Sequence, residues 1–270
     1  MITTLESNHA AGAAFDTMAA DYDEHFTFSI VGRAQREVVW NCAAATFRFG
    51  DRILELNCGT GEDALFLARR GMRVTACDAS VRMIEHAKAR KELEAPDARI
   101  SFRVLPTEHL HTLPKQPLFD GVLSNFSGLN CVDDLQVVAR ELAARLRPRA
   151  KLLLCLSTRF CLWEVLHYAA QCKFRKAVRR WRGVSPARFE GHSFFVYYPT
   201  IRSLRRSFAP EFKLRSVTGV GIATPPSYLE GWASAHPRML DAMKSFDKAV
   251  CDLPLFRSIG DHMLLSMEKI

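Results

Sequence analysis

The segment that most restricts what this chain can fold into is Ile53-Leu54-Glu55-Leu56-Asn57-Cys58-Gly59-Thr60-Gly61-Glu62-Asp63. An apolar run that reads as a buried strand ends in a turn holding two glycines, and a helical pattern opens directly after it. Gly59 and Gly61 carry no Cβ, so the backbone can turn tightly there and a ligand can approach it closely. A nucleotide-like cofactor is expected against this turn. The next strand, Arg73 to Asp78, ends in an acidic residue placed where a Rossmann-type site holds a carboxylate against two ribose hydroxyls. The plainer role for Asp78 is to cap the helix that starts near Ser80. The order of strand, glycine turn, helix, strand and acid favours the ribose.

From Arg52 onward the chain alternates short β-branched or leucine-rich runs with helical patterns, as parallel sheets with helical crossovers do. Strands are expected at 52–56, 73–78, 100–104, 119–125 and 151–157. Helices are expected at 62–70, 80–94 and 133–147, the first closed by Gly71 and the last by Pro148. Residues 1–46 contain no strand pattern, and Arg33 to Ala45 carries apolar residues at helical spacing (Val38, Val39, Cys42, Ala45), so a helical cap precedes the core. Residues 158–190 read as helical and basic, and Phe194 to Tyr198 as an aromatic strand or loop. A short helix near 200–208, a strand at 212–221, a helix at 237–251 and a strand at 261–268 follow. The predicted fold is α/β: a doubly wound, mostly parallel seven-stranded sheet with helices on both faces, an N-terminal helical cap and an insertion after the fifth strand. Its parts would be the cap at 1–46, a cofactor-binding core at 47–157, an acceptor-binding insertion at 158–211 and completion of the sheet by 212–270, all in one domain.

Leu54-Glu55-Leu56-Asn57-Cys58-Gly59-Thr60-Gly61, followed by Val74-Thr75-Ala76-Cys77-Asp78-Ala79-Ser80, resembles the first motif and its successor in class I methyltransferases that use S-adenosylmethionine. The resemblance runs through most of the chain: Phe119 to Phe126 is similar to the family's fourth strand, and Leu146 to Leu154 to the approach to the fifth. Phe15-Asp16-Thr17-Met18-Ala19-Ala20-Asp21-Tyr22-Asp23 is similar to the N-terminal signature of the small-molecule branch. The resemblance implies S-adenosylmethionine as cofactor and S-adenosylhomocysteine as product. Glu55 would lie near the methionine amino group, with Gly59 and Gly61 as the floor, joined by Asn57 and Cys58 of the same turn. Asp78 would take the ribose, Ala79 and Met83 would flank the adenine with Thr107 and Glu108 near it, and Asn125 would follow the fourth strand. Tyr22 and Arg33 would belong to a cap closing over the methionine end, where Arg33 meets the carboxylate. Two positions depart from the pattern. Asn57 stands where the family usually has its first glycine, and asparagine is among the few residues that enter left-handed backbone cheaply. Pro106 stands where the family often has an acid.

Methyl transfer from a sulfonium is an in-line displacement that needs alignment and exclusion of water more than a strong acid. A base helps where the acceptor is a hydroxyl or a protonated amine, and His192 and Tyr198 are the candidates for that role or for positioning. Phe126, Leu129, Asn130, Phe194, Tyr228 and Trp232 are expected around an acceptor that is a small molecule or lipid-like. No metal site is expected. A nicotinamide-dependent reductase shares the α/β core, and the Gly59-x-Gly61-x-x-Ala64 variant of its fingerprint keeps that reading open. So does a non-catalytic S-adenosylmethionine-binding scaffold or an RNA-associated protein, given Asn57 and the net charge.

The net charge of +8 raises the question of an anionic partner. Part of it is local: Lys173, Arg175, Lys176, Arg179, Arg180 and Arg182 fall together with no acid among them, so weak peripheral contact of 173–182 with an anionic membrane is a further expectation. Nucleic acid is not expected as a partner, since no aromatic stacking platform is recognisable. The longest apolar runs fall far short of the roughly 20 residues that cross a bilayer, and the polar start lacks a signal peptide, which places the chain in the cytoplasm. Eight scattered cysteines, none in a Cys-x-x-Cys pair, read as reduced core thiols.

Overall fold

In the computed structural model, which describes residues 4–270 with side chains from Ala11 onward, two helices precede the sheet. These are α1 (Thr4–Tyr22) and α2 (Ile30–Thr46), joined by a π-helical turn at Asp23–Thr27. Then come β1 (Arg52–Leu56), α3 (Glu62–Arg69), β2 (Arg73–Asp78), α4 (Val81–Glu94), β3 (Ile100–Val104), β4 (Phe119–Ser124), α5 (Leu135–Ala143) and β5 (Leu146–Ser157). The rest of the chain forms α6 (Leu162–Ala170), α7 (Phe174–Ala177), β6 (Val184–Phe189), β7 (His192–Tyr197), α8 (Ile201–Ser207), β8 (Phe212–Val220), α9 (Glu230–Ala235), α10 (Pro237–Val250) and β9 (His262–Lys269).

Seven strands form one sheet in the order β3-β2-β1-β4-β5-β9-β8. β1 to β5 pair in parallel, and β9 runs antiparallel to both of its neighbours. The strand order reverses between β1 and β4, and at such a switch point the loops diverge and leave a crevice beyond the carboxyl ends of the strands. Both faces of the sheet are buried, and side chains sort by alternation. Leu54, Leu56, Val122, Leu152 and Leu154 face α5 and α8, meeting Leu142, Leu204 and Phe208. Ile53, Leu123, Leu153 and Cys155 face the other way, against Val39 of α2, Leu67 of α3 and Ile84 of α4.

Two elements differ from the sequence-based expectation. The helix expected at 133–147 ends at Ala143, and Leu146 already belongs to β5. Pro148 does not stop a helix but sits in a bulged lead-in to the strand: the register against β4 slips between Phe119 and Gly121, and Arg149 takes φ 65°. The stretch 158–190 is helical only as far as Arg182. β6 then pairs antiparallel with β7, with Phe189 opposite His192. Glu190 and Gly191, both at positive φ (41° and 84°), make the two-residue turn whose twist suits a hairpin.

The expected basic helix is also partly occupied from within. Glu164 of α6, almost fully buried, accepts from Arg179 (2.6 Å) and Arg180 (2.8 Å), and Arg180 continues to Asp261 at 2.9 Å. Two of the six cations are therefore engaged by Glu164, and one of them, Arg180, ties the insertion to the loop before β9. Removing one partner of such a buried cluster leaves the others charged and unpaired, so Arg180→Ala should lower unfolding stability by about 3–5 kcal/mol. Urea denaturation reads this, and a change below about 1 kcal/mol would mean that the cluster is solvated and adds no more than a surface pair.

Candidate functional site

The turn after β1 takes the backbone its residues suit. Asn57 sits at φ 55°, Gly59 at φ 53° and Gly61 at φ 81°. Asn57 is held there by its own amide, which donates to Thr107 Oγ1 (3.2 Å) and accepts from Ser124 Oγ (3.3 Å). Gly59 opens into a cleft, where an added Cβ would meet only the Tyr22 ring at 3.8 Å. Gly61 does not: a Cβ there would lie 2.9 Å from Ala87 and 3.1 Å from the Phe102 ring, so this glycine is required by packing of the turn against α4 and β3. Asp78 accepts from the backbone N–H of Gly59 and of Ser80, each at 2.9 Å. Capping of α4 is done by Ser80, whose hydroxyl accepts from Met83 N–H, and Asp78 instead lines the cleft. Burial pushes its carboxyl above the usual range against those two hydrogen bonds.

The cleft lies at the switch point. Its floor and sides include Asn57, Gly59, Asp78, Ala79 and Met83, with Thr107, Glu108 and Asn125 across from them. The cap forms its roof. Asp16 of α1 accepts from Ser80 Oγ (2.6 Å) and from Arg82 N–H (3.0 Å), and Asp23 accepts from Thr60 Oγ1 (2.6 Å) and pairs with Arg90. These bonds latch the 15–23 segment onto the start of α3 and onto α4, and set Phe15 and Tyr22 over the cleft. Glu55 lies buried beneath the turn with Oε2 making no hydrogen bond. Burial and the nearby Asp63 push its carboxyl well above the usual range. Cys58 is buried beside it with its thiol raised by burial, and does not line the cleft.

A second cavity, of about 240 Å³, opens on the far side of Phe15, Tyr22 and Phe126, all three of which line both spaces. Apolar walls come from Met18, Phe26 and Val31, and polar groups from Gln35, Arg36, Asp261 and His262. Met18, Tyr22, Phe26 and Ser227 continue into an outer mouth that includes Phe189 and Tyr228. Tyr22 stacks on Phe26, and burial pushes its phenol up to about 12, so it stays protonated.

Several expected residues lie elsewhere. Arg33 is exposed with its guanidinium over Phe28, since it lies about 60° further round α2 than the buried Arg36 and so outside the inward-facing stripe. The inward cation is Arg36, which bonds Asp63 at 2.6 Å, lies over the Phe126 ring and leaves Nε unpartnered. Leu129 belongs to the core under α5. Asn130 is fully buried and structural, donating to Tyr197 O (2.6 Å) and accepting from Ser157 N–H (2.9 Å) to bind the hairpin to the end of β5. His192 is half-buried at the foot of the hairpin and lines neither cavity, and Tyr198 is buried beneath Arg180. Phe194 reaches the site only indirectly, through Phe15. Trp232 stacks on His236, behind the Val31 wall. Sequence reasoning missed Phe15, Arg36, Asp63, Asp261 and His262 as members of the site. Phe15 and Asp63 stood inside quoted motifs, whereas nothing in the sequence pattern distinguishes Arg36 from Arg33 except helical phase.

Residues 53–149 match the family model described as a methyltransferase domain. The chain is 32% identical over 146 residues to the 2-phytyl-1,4-naphtoquinone methyltransferase of Nostoc sp., covering 52% of this chain and 61% of that one. It is 30% identical over 143 residues to the demethylmenaquinone methyltransferase of Thermobifida fusca, covering 53% and 59%. The match thus spans about three fifths of the length of these curated relatives. A solved S-adenosylmethionine dependent methyltransferase from Mesorhizobium loti superposes with a TM-score of 0.56 at 19% identity, covering 85% of this chain and 96% of that one, which establishes the shared fold.

The unpartnered Glu55 carboxylate makes a prediction about the ligand-free protein. A carboxyl whose folded value is raised above its unfolded value contributes stability at low pH and loses it as pH rises through the folded value. The stability of the native chain relative to Glu55→Gln should therefore decline as pH rises from about 4 to 8, read by urea unfolding at each pH. A difference that does not change with pH would show that Glu55 is ionised and compensated.

Proposed function

We propose, from the premise that this chain belongs through residues 53–149 to the Rossmann-like class I methyltransferases, that it transfers a methyl group from S-adenosylmethionine to a small, largely apolar acceptor. The observation that carries this reading is the pair of cavities divided by Phe15, Tyr22 and Phe126, one lined by the polar glycine turn and Asp78, the other mostly apolar. When bound, S-adenosylmethionine supplies an electrophilic methyl group on a sulfonium sulfur. The residues present fit it. The orphaned Glu55 carboxylate has the chemistry to meet an ammonium group, and Asp78 stands ready to accept from ribose hydroxyls. Ala79 and Met83 would flank the adenine beside Thr107 and Glu108, whereas Arg36, the inward cation of α2, lines the second cavity. Latching of α1 over the cleft excludes water, which an in-line displacement requires more than it requires acid catalysis.

An acceptor of the quinone type is favoured by the relatives that act on demethylmenaquinone and 2-phytyl-1,4-naphtoquinone and by the aromatic walls of the inner cavity. Such acceptors reside in lipid. The surface beside the outer mouth suits contact with an anionic bilayer: Tyr228 packs against His167 and Tyr168 of α6, and Lys176 lies over the Tyr168 ring. Around them Leu166, Phe174 and Trp181 are exposed, with Lys173, Arg175 and Arg182 among them. No helix among the described residues is long and apolar enough to cross a membrane. Contact would be peripheral and salt-dependent.

Two measurements test this reading. Asp78→Ala should weaken S-adenosylmethionine binding by about 1.5–3 kcal/mol in calorimetry, the scale of hydrogen bonds to a charged group, and unchanged affinity would sink the assignment. In co-sedimentation with phosphatidylserine-containing vesicles at low salt, the native chain should bind. A variant with Lys173, Arg175, Lys176 and Arg182 changed to glutamine should not. Equal binding by both would dispose of the membrane contact and leave the methyl-transfer reading intact.

A further inference from the structure

His262 opens β9, opposite Ser157 of β5 and Val220 of β8, and its ring packs edge-on against Phe126 (5.5 Å between centroids, 76° between planes). Since Phe126 is the wall between the two cavities, His262 stands on the inner side of the point where they meet. Its side chain is 13% exposed, and Nδ1 lies 3.5 Å from Asp261 Oδ2 without a hydrogen bond. Asp261 is fixed from behind: its carboxylate accepts from Arg180 Nη2 (2.9 Å) and its carbonyl from Arg180 Nη1 (3.1 Å), while Gln35 of α2 also bonds the carboxylate. Arg180 is in turn held by Glu164.

We propose that His262 is the acceptor-side general base of the methyl transfer, taking the hydroxyl proton of an aromatic, phenol- or quinol-type acceptor seated in the inner cavity. Asp261 orients the ring and Arg180 positions Asp261. The inference rests on the methyl-transfer reading above and adds to it the class of acceptor. In the step, the acceptor's O–H bond breaks, its proton goes to the free imidazole nitrogen and its electron pair stays on the acceptor. A new bond then forms from that oxygen, or from a ring carbon conjugated with it, to the methyl carbon as the carbon–sulfur bond breaks and leaves its pair on sulfur. Where carbon attacks, His262 returns its proton to the acceptor oxygen and takes the carbon's hydrogen as a proton, which restores the aromatic ring and its hydroxyl and leaves the charge on His262. The positive charge lost by sulfur reappears on His262, where Asp261 is placed to meet it.

The surroundings select this residue over the others at hand. Burial lowers the His262 value below that of an ordinary histidine despite Asp261, with Arg180 adding to the effect, which favours the unprotonated ring that a proton acceptor must be. The charged groups facing it are Asp261 and Arg180, and Arg36 of α2 lies across the Phe126 ring. Tyr22, on the same partition, holds its proton too tightly to serve. The apolar residues around the cavity, Phe15, Met18, Phe26, Val31 and Phe126, suit a flat aromatic acceptor whose single polar edge must face Gln35, Arg36, Asp261 or His262.

The test compares the full-length chain with His262→Asn. With histidine nitrogens labelled and S-adenosylhomocysteine present, 1-naphthol should shift the His262 ring resonances and raise its titration midpoint in the native chain, a readout that needs no turnover. With S-adenosylmethionine and 1,4-naphthoquinol, His262→Asn should lose about 10²–10⁴-fold in kcat and lose the acidic limb of the pH profile. Its S-adenosylmethionine affinity by calorimetry should stay within about twofold of the native value. His262→Gln serves where the asparagine variant does not fold. A His262 resonance indifferent to 1-naphthol, or a variant whose pH profile keeps its acidic limb, overturns the proposal and leaves His262 a packing residue. Failure to bind S-adenosylmethionine at all overturns the methyl-transfer reading instead, and the two failures are read by separate arms.

Discussion

One buried carboxylate joins the three parts of this molecule that surround its two cavities. Asp63, on the first turn of α3, accepts from Arg36 (2.6 Å) and Trp40 (2.6 Å) of α2 and from the Asn125 amide (3.0 Å) beyond β4. Cap, glycine-turn helix and fourth-strand loop thus share a single anion with all three donors satisfied, and hydrogen bonds to a charged group are the stronger kind. The consequences spread outward. Arg36 is aimed over Phe126, and Asn125 spends its carbonyl oxygen on Phe126 N–H. The wall between the cavities is therefore set by the same residue that docks the cap.

The topology explains why such a hub is needed. A doubly wound sheet provides a crevice at its switch point without any help from side chains, but it provides only an open one. Closing it takes elements from both ends of the chain. α1 and α2 come from the start and are latched by Asp16 and Asp23, while α9 comes from the end and caps α2 through Glu230, which accepts from Ile30 N–H and Val31 N–H. The insertion after β5 is anchored by the Glu164, Arg180 and Asp261 cluster, which keeps Arg180 inside and holds Arg179 against Glu164 from the surface, while the other four of the basic stretch face outward unpaired with it. The excess positive charge thus divides into a structural part and a surface part, a division invisible in the net figure.

Local chemistry made the strands, the glycine turn, the left-handed Asn57 and the placement of Asp78 readable from sequence, because each depends on residues close together in the chain. For the same reason the residues expected at the cofactor, Asn57, Gly59, Asp78, Ala79 and Met83 among them, gather around one cleft. Those expected around the acceptor do not gather around one cavity. His262 and Asp261 lie far along the chain from Phe126, and nothing in a periodic β9 pattern marks its first residue as facing a cavity. His192 and Tyr198 drew attention through their aromatic company, but the Glu190-Gly191 turn folds that company into a hairpin whose half-buried strands face α1 and the protein's own loops. Arg33 and Arg36 differ by less than one helical turn, so a small error in phase exchanges an exposed side chain for a buried one.

The loop after β4 gives the last link between energy and function. Phe126 at φ 46° and Ser127 at φ 68° are consecutive non-glycine residues in left-handed backbone, which costs on the order of 1–3 kcal/mol each. Such a pair persists only where its surroundings over-determine it. Here Asn125 accepts from Phe126 N–H, Ser127 N–H donates to Cys155 O, and the Ser127 hydroxyl bonds that of Ser157. The strained loop holds an aromatic partition between Asp78 on one side and His262 on the other, which keeps the two cavities apart.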